Sequence, residues 1–519
     1  WRKEVALTMT EEKKQTAPQE MSAEEVMKKY DKESDKRNPV GAWHYIISGI
    51  CILFACFQLY TAIFGVLDAH LQRTIHLMFG LTLIFLLYPG RKSWSRSSMN
   101  PIDVICALLG IGTTGYLLLN YQELVLRAGL NTQTDIIVGI IGVLMVFEAT
   151  RRTVGWPMLT VALIFVAYAF LGPYMPGILA HRGVGFDELV SHLFFTTEGI
   201  FGVPMGVSST FIYLFILFGA YLDATGLGKF FIDMANALAG WAIGGPAKVA
   251  VLSSGLMGTV SGSSVANVAG TGSFTIPMMK KLGYRPSFAG AVEAAASTGG
   301  QLMPPVMGAA AFLMAEFVGV PYIEVVKAAV IPALLYYTGI WLSVHYEAKK
   351  YGLKGTPRDQ LPKFGPLLRE KGHLAVPLIV IVYLLVSGYT PMRAALYAIG
   401  LTIVCACMRK NTRITFAQFI NGLVEGSQSV LGVLIACASA GIIIGVVTKT
   451  GVGLKLATAL LDLAQGKMIP AMFFTMITSL ILGMGVPTTA NYVITSTIAA
   501  PALVQMKVPV LAAHMFAFY

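Results

Sequence analysis

Apolar runs of similar length recur along the whole chain and limit what it can fold into. The first five occupy residues 43–67, 74–88, 101–119, 136–147 and 156–171. A helix needs about 20 predominantly apolar residues to cross a bilayer. Because 55% of the 519 residues are hydrophobic and only 13% are charged, the runs predict an all-α polytopic membrane protein.

The positive charge of the chain lies in the loops between the apolar runs. The net charge is +11, but residues 1–40 carry nine Lys or Arg and nine Asp or Glu, so this polar tail is neutral and we expect it to be disordered. Basic residues in short loops are the positive-inside bias of membrane proteins, not a nucleic-acid-binding face. We therefore expect a cytoplasmic N-terminus and cytoplasmic loops at Lys36, Arg37, Arg91, Lys92, Arg96, Arg151 and Arg152.

Cysteine and histidine show no pattern typical of a metal site. The six cysteines lie within or at the ends of apolar runs, and the eight histidines are scattered. We interpret the cysteines as packing residues and expect neither a bound metal nor a cofactor other than a coupling ion. The cysteines are Cys51, Cys56, Cys106, Cys405, Cys407 and Cys437.

The apolar runs change character near residue 185, where Gly, Ser, Thr and Pro begin to interrupt them. In a membrane, broken helices are tolerated only where they are buried in protein or line a cavity, so we expect function in this second part. The predicted divisions are a tail (1–40), a four-helix unit (41–155), a connecting helix and outer loop (156–184), a first repeat (185–345), a basic cytoplasmic linker (346–372) and a second repeat (373–519).

The second part contains an internal repeat. TGLGKF (225–230) returns as TGVGLK (450–455), and SSVAN (263–267) aligns with PTTAN (487–491). The turn after the first copy, KKLGYR (280–285), is basic, whereas its counterpart VQMKVP (504–509) holds one lysine. We therefore expect the copies to face opposite sides of the membrane, as in the inverted repeats of secondary transporters.

Two polar runs at matching repeat positions are the strongest site candidates. SGSSVAN (261–267) and GVPTTAN (485–491) each lie between apolar arms, which predicts two re-entrant hairpins with polar tips buried against protein. Neutral oxygens at such tips suit a desolvated Na⁺, and helix N-termini suit a carboxylate. The alternative is that these small residues only allow helices to approach closely.

A third interruption, ASTGGQLMPP (296–305), predicts a helix break at membrane depth, with a simple kink as the alternative. Glu293 precedes it, with no basic residue nearby in sequence. A buried carboxyl is a candidate proton carrier, because desolvation disfavours its charged form, whereas a carboxyl at the membrane interface would have no such role. The counterpart of this break would fall beyond Tyr519, and the chain begins at Trp1, so we expect both ends to be fragmentary.

Other charged residues carry weaker signals. We expect solvated or interfacial positions for six of them: Glu148, Arg151, Arg152, Asp223, Asp233 and Glu316.

At these motifs the chain resembles the tripartite ATP-independent periplasmic (TRAP) transporters, in the form that fuses the small four-helix and large membrane subunits. The resemblance covers residues 40–519. Its most specific parts are SGSSVANVAGTGSFTIPMMKKLGY (261–284), EAAASTGGQLMPPVMGAAAF (293–312) and LGMGVPTTANYV (482–493). The motif VEAAASTGG (292–300) resembles the sequences of the branch that works with TAXI-type binding proteins.

The resemblance implies an elevator-type transporter in the bacterial inner membrane. It implies a static four-helix scaffold unit and a large ion-transporter-type domain with inverted repeats and two hairpins. The site residues that it implies are Ser261, Gly262, Ser263, Ser264 and Asn267 in the first tip, Thr298, Gly299 and Pro304 in the break, and Gly485, Pro487, Thr488, Thr489 and Asn491 in the second tip. Glu293 stands where many relatives have a small neutral residue, so the coupling ion is either Na⁺ or H⁺.

We therefore expect a secondary-active permease, not an enzyme, that imports small organic anions delivered by a periplasmic binding protein. An intramembrane enzyme would need clustered His, Asp or Cys at membrane depth, and the sequence shows no such cluster. The alternative is an ion-translocating subunit of a larger energy-converting complex. Such subunits rely on chains of intramembrane Lys and Glu, which are sparse here.

Overall fold

The computed structural model describes residues 36–519 except 92, 128, 410, 411 and 485, and at Ser261 it describes the backbone alone. The predicted disorder of the tail therefore lies, up to residue 35, outside the described residues. Within the described residues every regular element is helical, and mostly short turns connect the helices.

The first part of the chain forms helices over the predicted apolar runs. They are α1 (Ala42–Phe64), α2 (Ala69–Leu87), α3 (Pro101–Leu119), α4 (Tyr121–Leu126), α5 (Gln133–Thr153) and α6 (Trp156–Leu171). Local sequence sets their first residues: Asn100 caps α3 ahead of Pro101, and Thr132 with Asp135 forms a capping box on α5. These side chains satisfy backbone N–H groups that have no partner inside the helix.

The middle of the chain forms shorter helices. They are α7 (Phe186–Phe195), α8 (Val203–Val207), α9 (Tyr213–Ala224), α10 (Leu227–Ala239), α11 (Gly245–Ser261), α12 (Ser264–Lys281), α13 (Pro286–Gly300), α14 (Ala309–Val318) and α15 (Tyr322–Lys350). A π-helical turn over Ser208–Ile212 joins α8 to α9. Helix α15 extends to Lys350, inside the segment predicted as a linker.

The last part repeats this pattern of long and short helices. It comprises α16 (Phe364–Lys371), α17 (Val376–Val386), α18 (Pro391–Cys407), α19 (Phe416–Ser429), α20 (Leu431–Thr450), α21 (Val452–Leu463), α22 (Met468–Gly483), α23 (Thr488–Ile498), α24 (Ala500–Gln505) and α25 (Val510–Phe518).

Eight helical segments of the described chain are long and apolar enough to cross a bilayer, so the protein is a multi-pass membrane protein. In the segment made of α19 and α20, 89% of the 18-residue apolar stretch is buried inside the protein. Helix α20 contacts α2, α5, α6, α8 and α23. A helix that is apolar on all sides suits this central position, which connects the early helices to the second candidate hairpin.

Arg152, predicted to lie in a solvated or interfacial position, is not solvated, because its side chain is buried in an ion-pair cluster. Its Nη1 atom lies 2.5 Å from Asp103 Oδ1, and Arg37 Nη2 lies 2.5 Å from Asp103 Oδ2. Arg152 Nε also donates to Glu148 Oε1 at 2.7 Å. Two guanidinium groups on one buried carboxylate leave each charge paired, and removing one partner would strand a buried charge. The cluster fixes the segment before α1 against α3 and α5.

The other charged residues have different environments. Asp223 and Glu316 are exposed near the ends of α9 and α14. Asp233 instead lies inside α10, half-buried, where its Oδ2 atom is 3.2 Å from Lys371 Nζ. Arg151 is half-buried and donates to Glu148 Oε2 at 2.8 Å.

Candidate functional site

Helices α11 and α12 form a hairpin whose turn is the first polar run. Gly262 has a φ of +61° and its N–H donates to the Gly258 carbonyl, which ends α11. Ser263 caps the N-terminus of α12, and its hydroxyl accepts a hydrogen bond from the Ala266 N–H at 3.3 Å. Glycine adopts a positive φ without strain, so the chain reverses within two residues.

Asn267 joins the two arms of this hairpin. Its side chain is only 1% exposed, and its Nδ2 atom donates to the Ser254 carbonyl at 2.7 Å. A Cβ atom on Gly258 would lie 3.1 Å from Asn267 Nδ2 and 2.3 Å from Gly300 Cα. The backbones of α11 and α13 therefore touch, which only small residues permit.

The predicted helix break lies directly beside the first tip. Helix α13 ends at Gly300 and the chain becomes helical again at Ala309. A Cβ atom on Gly262 would lie 3.2 Å from the Met307 carbonyl oxygen. The turn of the hairpin thus packs against the backbone of the break, where carbonyl groups leave the helical pattern.

Two tyrosines hold the irregular backbone of the break. The Tyr322 hydroxyl donates to the Val306 carbonyl, and the Tyr519 hydroxyl donates to the Leu302 carbonyl at 2.9 Å. Both bonds satisfy carbonyl groups that lack a helical partner, which buried backbone requires.

Glu293 is completely buried and is surrounded by hydroxyl groups. Its Oε1 atom accepts from Ser254 at 2.6 Å, Thr271 at 2.5 Å and Ser297 at 3.1 Å. Its Oε2 atom accepts from Thr275 at 2.5 Å. Among the described residues, its hydrogen-bond partners are these hydroxyls and no guanidinium or ammonium group. Glu293 is therefore shielded from solvent inside the protein.

This network accommodates a charged or a neutral carboxyl. A carboxylate accepts from the four surrounding hydroxyls. A protonated Oε2 can instead donate to Thr275, because the Thr275 hydroxyl can turn its own hydrogen to the Thr271 carbonyl, 3.1 Å away. Hydroxyl groups both donate and accept and rotate freely, so a proton can bind or leave without displacing a heavy atom.

Helices α22 and α23 form a second hairpin with a related arrangement. A Cβ atom on Gly483 would lie 2.8 Å from Asn491 Nδ2, which matches the approach of Gly258 to Asn267. The Asn491 N–H donates to the Pro487 carbonyl at 2.8 Å and begins α23. The second hairpin differs from the first in three buried oxygen atoms that have no hydrogen-bond partner among the described residues. They are Asn491 Oδ1, Thr475 Oγ1 and Ser479 Oγ.

A cavity of about 750 Å³ lies between the two tips and the helix break. Its volume is in the range of small-molecule sites. Faces of α9 and of the central helix α20 also line it. Its polar and tip residues are Lys36, Tyr88, Thr153, Asp223, Gly262, Ser263, Ser264, Gln301, Gln428, Ser429, Pro487, Thr488 and Thr489.

The cavity brings together part of the predicted site. The predicted residues that line it are Gly262, Ser263, Ser264, Pro487, Thr488 and Thr489. Asn267 and Asn491 lie between hairpin arms, and Pro304 lies in the break, so these three do not line the cavity. The Ser261 side chain and Gly485 lie outside the described residues.

The remaining predicted residues of the break have structural contacts. Thr298 is exposed on α13, and its hydroxyl donates to the Ala294 carbonyl at 2.8 Å. A Cβ atom on Gly299 would lie 2.5 Å from the Tyr336 ring, so this glycine packs against α15.

Sequence reasoning missed several lining residues. Gln301 was detectable, because it is a polar side chain inside the Gly- and Pro-rich break. Lys36, Gln428 and Ser429 come from segments far away in sequence, and no local pattern indicates their role.

Comparison with known proteins places the chain among transport proteins. The sequence profile described as "Tripartite ATP-independent periplasmic transporter, DctM component" matches residues 141–519. The isethionate TRAP transporter permease protein DctMQ of Oleidesulfovibrio alaskensis is 29% identical over 301 residues, which cover 57% of this chain and 46% of that protein.

Two further relatives show the same range of similarity. The C4-dicarboxylate TRAP transporter large permease protein DctM of Pseudomonas aeruginosa is 32% identical over 36% of this chain and 44% of its own length. The 2,3-diketo-L-gulonate TRAP transporter large permease protein YiaN of Escherichia coli is 24% identical over 56% and 68%, respectively. The chain spans about half the length of the first curated relatives it matches. These relatives are named as transporter permeases and not as enzymes.

Proposed function

Because the chain belongs to the DctM component family of tripartite ATP-independent periplasmic transporters, we propose that it is a secondary-active permease for small organic anions. The cavity carries this proposal. Both hairpin tips, the helix break and the central helix α20 meet around one small-molecule-sized space. Discontinuous helices that converge on one space are typical of transporter binding sites.

The N-terminal ends of two helices favour an anionic substrate. Helix α12 begins at Ser264 and α23 begins at Thr488, and both residues line the cavity. The first N–H groups of a helix carry partial positive charge, so they attract a carboxylate or a sulfonate. The relatives named for isethionate and C4-dicarboxylates have substrates of this chemistry.

Glu293 is our candidate for the coupling group. Its hydroxyl network accepts both protonation states, which a proton carrier requires. The buried oxygens of the second hairpin, which have no hydrogen-bond partner among the described residues, instead suit Na⁺, the alternative coupling ion.

The remaining features of the proposal rest on the sequence resemblance and on the charge bias. A periplasmic solute-binding protein of the TAXI type delivers the substrate, and the hairpin-bearing helices move as an elevator against the early helices. The protein lies in the bacterial inner membrane with a cytoplasmic N-terminus, as the basic loops favour.

The test is uptake by the full chain in proteoliposomes, with the binding protein on the outside. Radiolabelled isethionate and C4-dicarboxylates serve as substrates, and either a pH gradient or a Na⁺ gradient is imposed. We expect pH-driven uptake to fall at least about tenfold in Glu293→Gln, because an amide cannot carry the proton. Uptake that persists without a binding protein, or that never occurs in the wild type, contradicts the proposal.

Thermal unfolding in detergent tests the coupling ion without a substrate. A ligand at 100 times its dissociation constant stabilises a protein by about 2.7 kcal/mol. A pH dependence of the melting temperature that Glu293→Gln flattens supports H⁺. A melting temperature that is higher in NaCl than in KCl, by the same amount in the wild type and in Glu293→Gln, supports Na⁺ instead.

A further inference from the structure

The segment before the first helix reaches the cavity and is held there by buried contacts. The Arg37 side chain is 2% exposed and pairs with Asp103, and its backbone N–H donates to the Leu87 carbonyl at 2.7 Å. The preceding residue, Lys36, lines the cavity, and its Nζ atom donates to the Gln428 carbonyl at 3.2 Å. The Arg37 anchor therefore fixes where the Lys36 ammonium group lies.

Lys36 marks one end of the cavity. The lining at this end includes Tyr88, Thr153 and Pro157, which lie where α2 and α5 end and α6 begins. The positive-inside bias assigns these loops to the cytoplasm. An organic anion that leaves the tips for the cytoplasm passes this end.

The charge around the cavity makes this lysine distinctive. Among the described lining residues, Lys36 is the cation and Asp223 is the anion. Glu425, on α19, lies within electrostatic range of both. Without Lys36, the charged group left among the described lining residues would be the Asp223 carboxylate, and like charges repel.

We propose that Lys36, from the segment before the first helix, is the cation that draws the organic anion through the inner end of the cavity. This role rests on the proposed transport function. It makes the anion path depend on a residue outside the part of the chain that matches the large-subunit family.

The test measures the potential in the cavity with charged thiol reagents and needs no substrate. Ser429, next to Gln428 and exposed, is replaced by Cys in a full chain whose exposed Cys56 and Cys407 are replaced by Ser. The rates of reaction with an anionic sulfonatoethyl and a cationic trimethylammonioethyl methanethiosulfonate are compared. The charge of Lys36 and the charge of a reagent about 10 Å away in water change the reaction rate about twofold, upward for the anionic reagent and downward for the cationic one. Lys36→Gln should therefore lower the ratio of the anionic to the cationic rate about fourfold.

Two variants control this measurement. Lys36→Arg keeps the charge and should keep the ratio, while Lys363→Gln removes an exposed charge that does not line the cavity and should not change it. A ratio that is the same in Lys36→Gln and the parent overturns the proposal, whatever the uptake.

Uptake measurements then show whether the electrostatic potential in the cavity affects the rate of anion transport. In proteoliposomes we expect Lys36→Gln to slow uptake severalfold and Lys36→Arg to restore it. Normal uptake in Lys36→Gln overturns the proposal even if the labelling ratio falls. If the parent chain transports no organic anion, the proposed function fails, and that failure is visible separately from the labelling result.

Discussion

The two hairpins share a backbone design and differ in the chemistry between their arms. In each, a glycine faces an asparagine amide across the arms, at Gly258 and Asn267 or at Gly483 and Asn491. In the first hairpin the neighbouring hydroxyls converge on the Glu293 carboxyl. In the second, buried oxygens have no hydrogen-bond partner among the described residues.

This difference shows that the contact between the hairpin arms does not depend on the polar groups buried beside it. A glycine opposite an amide is required for close contact between arms, so it is present in both hairpins. A buried carboxyl adds chemistry but is not needed for the contact. Position 517, which is 224 residues after Glu293, accordingly holds alanine.

The largest expected effect separates the two glycines. In Gly258→Ala the new methyl group would lie 2.3 Å from the Gly300 backbone, so α11 and α13 must separate. We expect the free energy of unfolding to fall by about 3 kcal/mol. In Gly483→Ala the methyl group meets the end of the Asn491 side chain, which can turn away, and we expect about 1 kcal/mol. Unfolding in detergent measures both, with Gly270→Ala as control because its Cβ site is open. Equal losses would show that the hairpins pack alike.

A pair of Thr→Val changes tests the carboxyl network. Thr275→Val removes a hydrogen bond to the Glu293 carboxyl. We expect the free energy of unfolding to fall by about 2 kcal/mol, because hydrogen bonds to a charged group are stronger than those between neutral groups. Thr475→Val removes a buried hydroxyl without a described partner and should leave stability unchanged or raise it by about 1 kcal/mol. A comparable loss in Thr475→Val would mean that its hydroxyl has a partner. If that loss occurs only in NaCl, the partner is Na⁺.

Asparagine substitutions probe the connection between the arms. Asn267→Ala breaks the bond to the Ser254 carbonyl and should cost about 1 kcal/mol, with reduced uptake because the tip loses its support. Asn491→Ala removes an amide whose Oδ1 atom has no described partner and should cost less. Limited proteolysis of each hairpin, together with uptake, reports the difference. Identical behaviour of both variants would place the two amides in the same structural role.

The smallest effect is expected on the exposed face of the break. Thr298→Val loses only a bond to the Ala294 carbonyl in its own helix and should change stability by less than about 0.5 kcal/mol. Thr488→Val, at the second tip, should leave stability similarly unchanged but raise the KM for the anion, because Thr488 lines the cavity. A KM effect of Thr298→Val as large as that of Thr488→Val would place the transport path on the outer face of α13.

Much of the fold was predictable because helix formation in lipid depends on local sequence. The apolar runs at 101–119 and 156–171 became helices over the same residues, with Pro101 and Trp156 as first residues. The polar run at 261–267 and the break at 296–305 interrupt helices as predicted. The end of α15 was not predicted, since Lys349 and Lys350 favour a helix C-terminus as much as a loop.

The site was predictable in part. Tip residues such as Ser263 and Thr488 were candidates because polar residues between apolar arms need a buried, non-lipid environment, and both line the cavity. Thr298 and Gly299 were assigned to the site from the same motif, yet they face α15 or the surface, since the rotation of a helix about its axis is set by its neighbours.

The sequence by itself determined the main apolar helices, the two polar interruptions near residues 262 and 301, and that Glu293 has no basic neighbour along the chain. Tertiary structure alone decided what surrounds that carboxyl, because Ser254 and Thr275 reach it from two other helices. It also buried Arg152 in an ion pair and brought Lys36 to the cavity. Local patterns encode backbone conformation, whereas side-chain partners depend on which helices pack together, and that is fixed only when the whole chain folds.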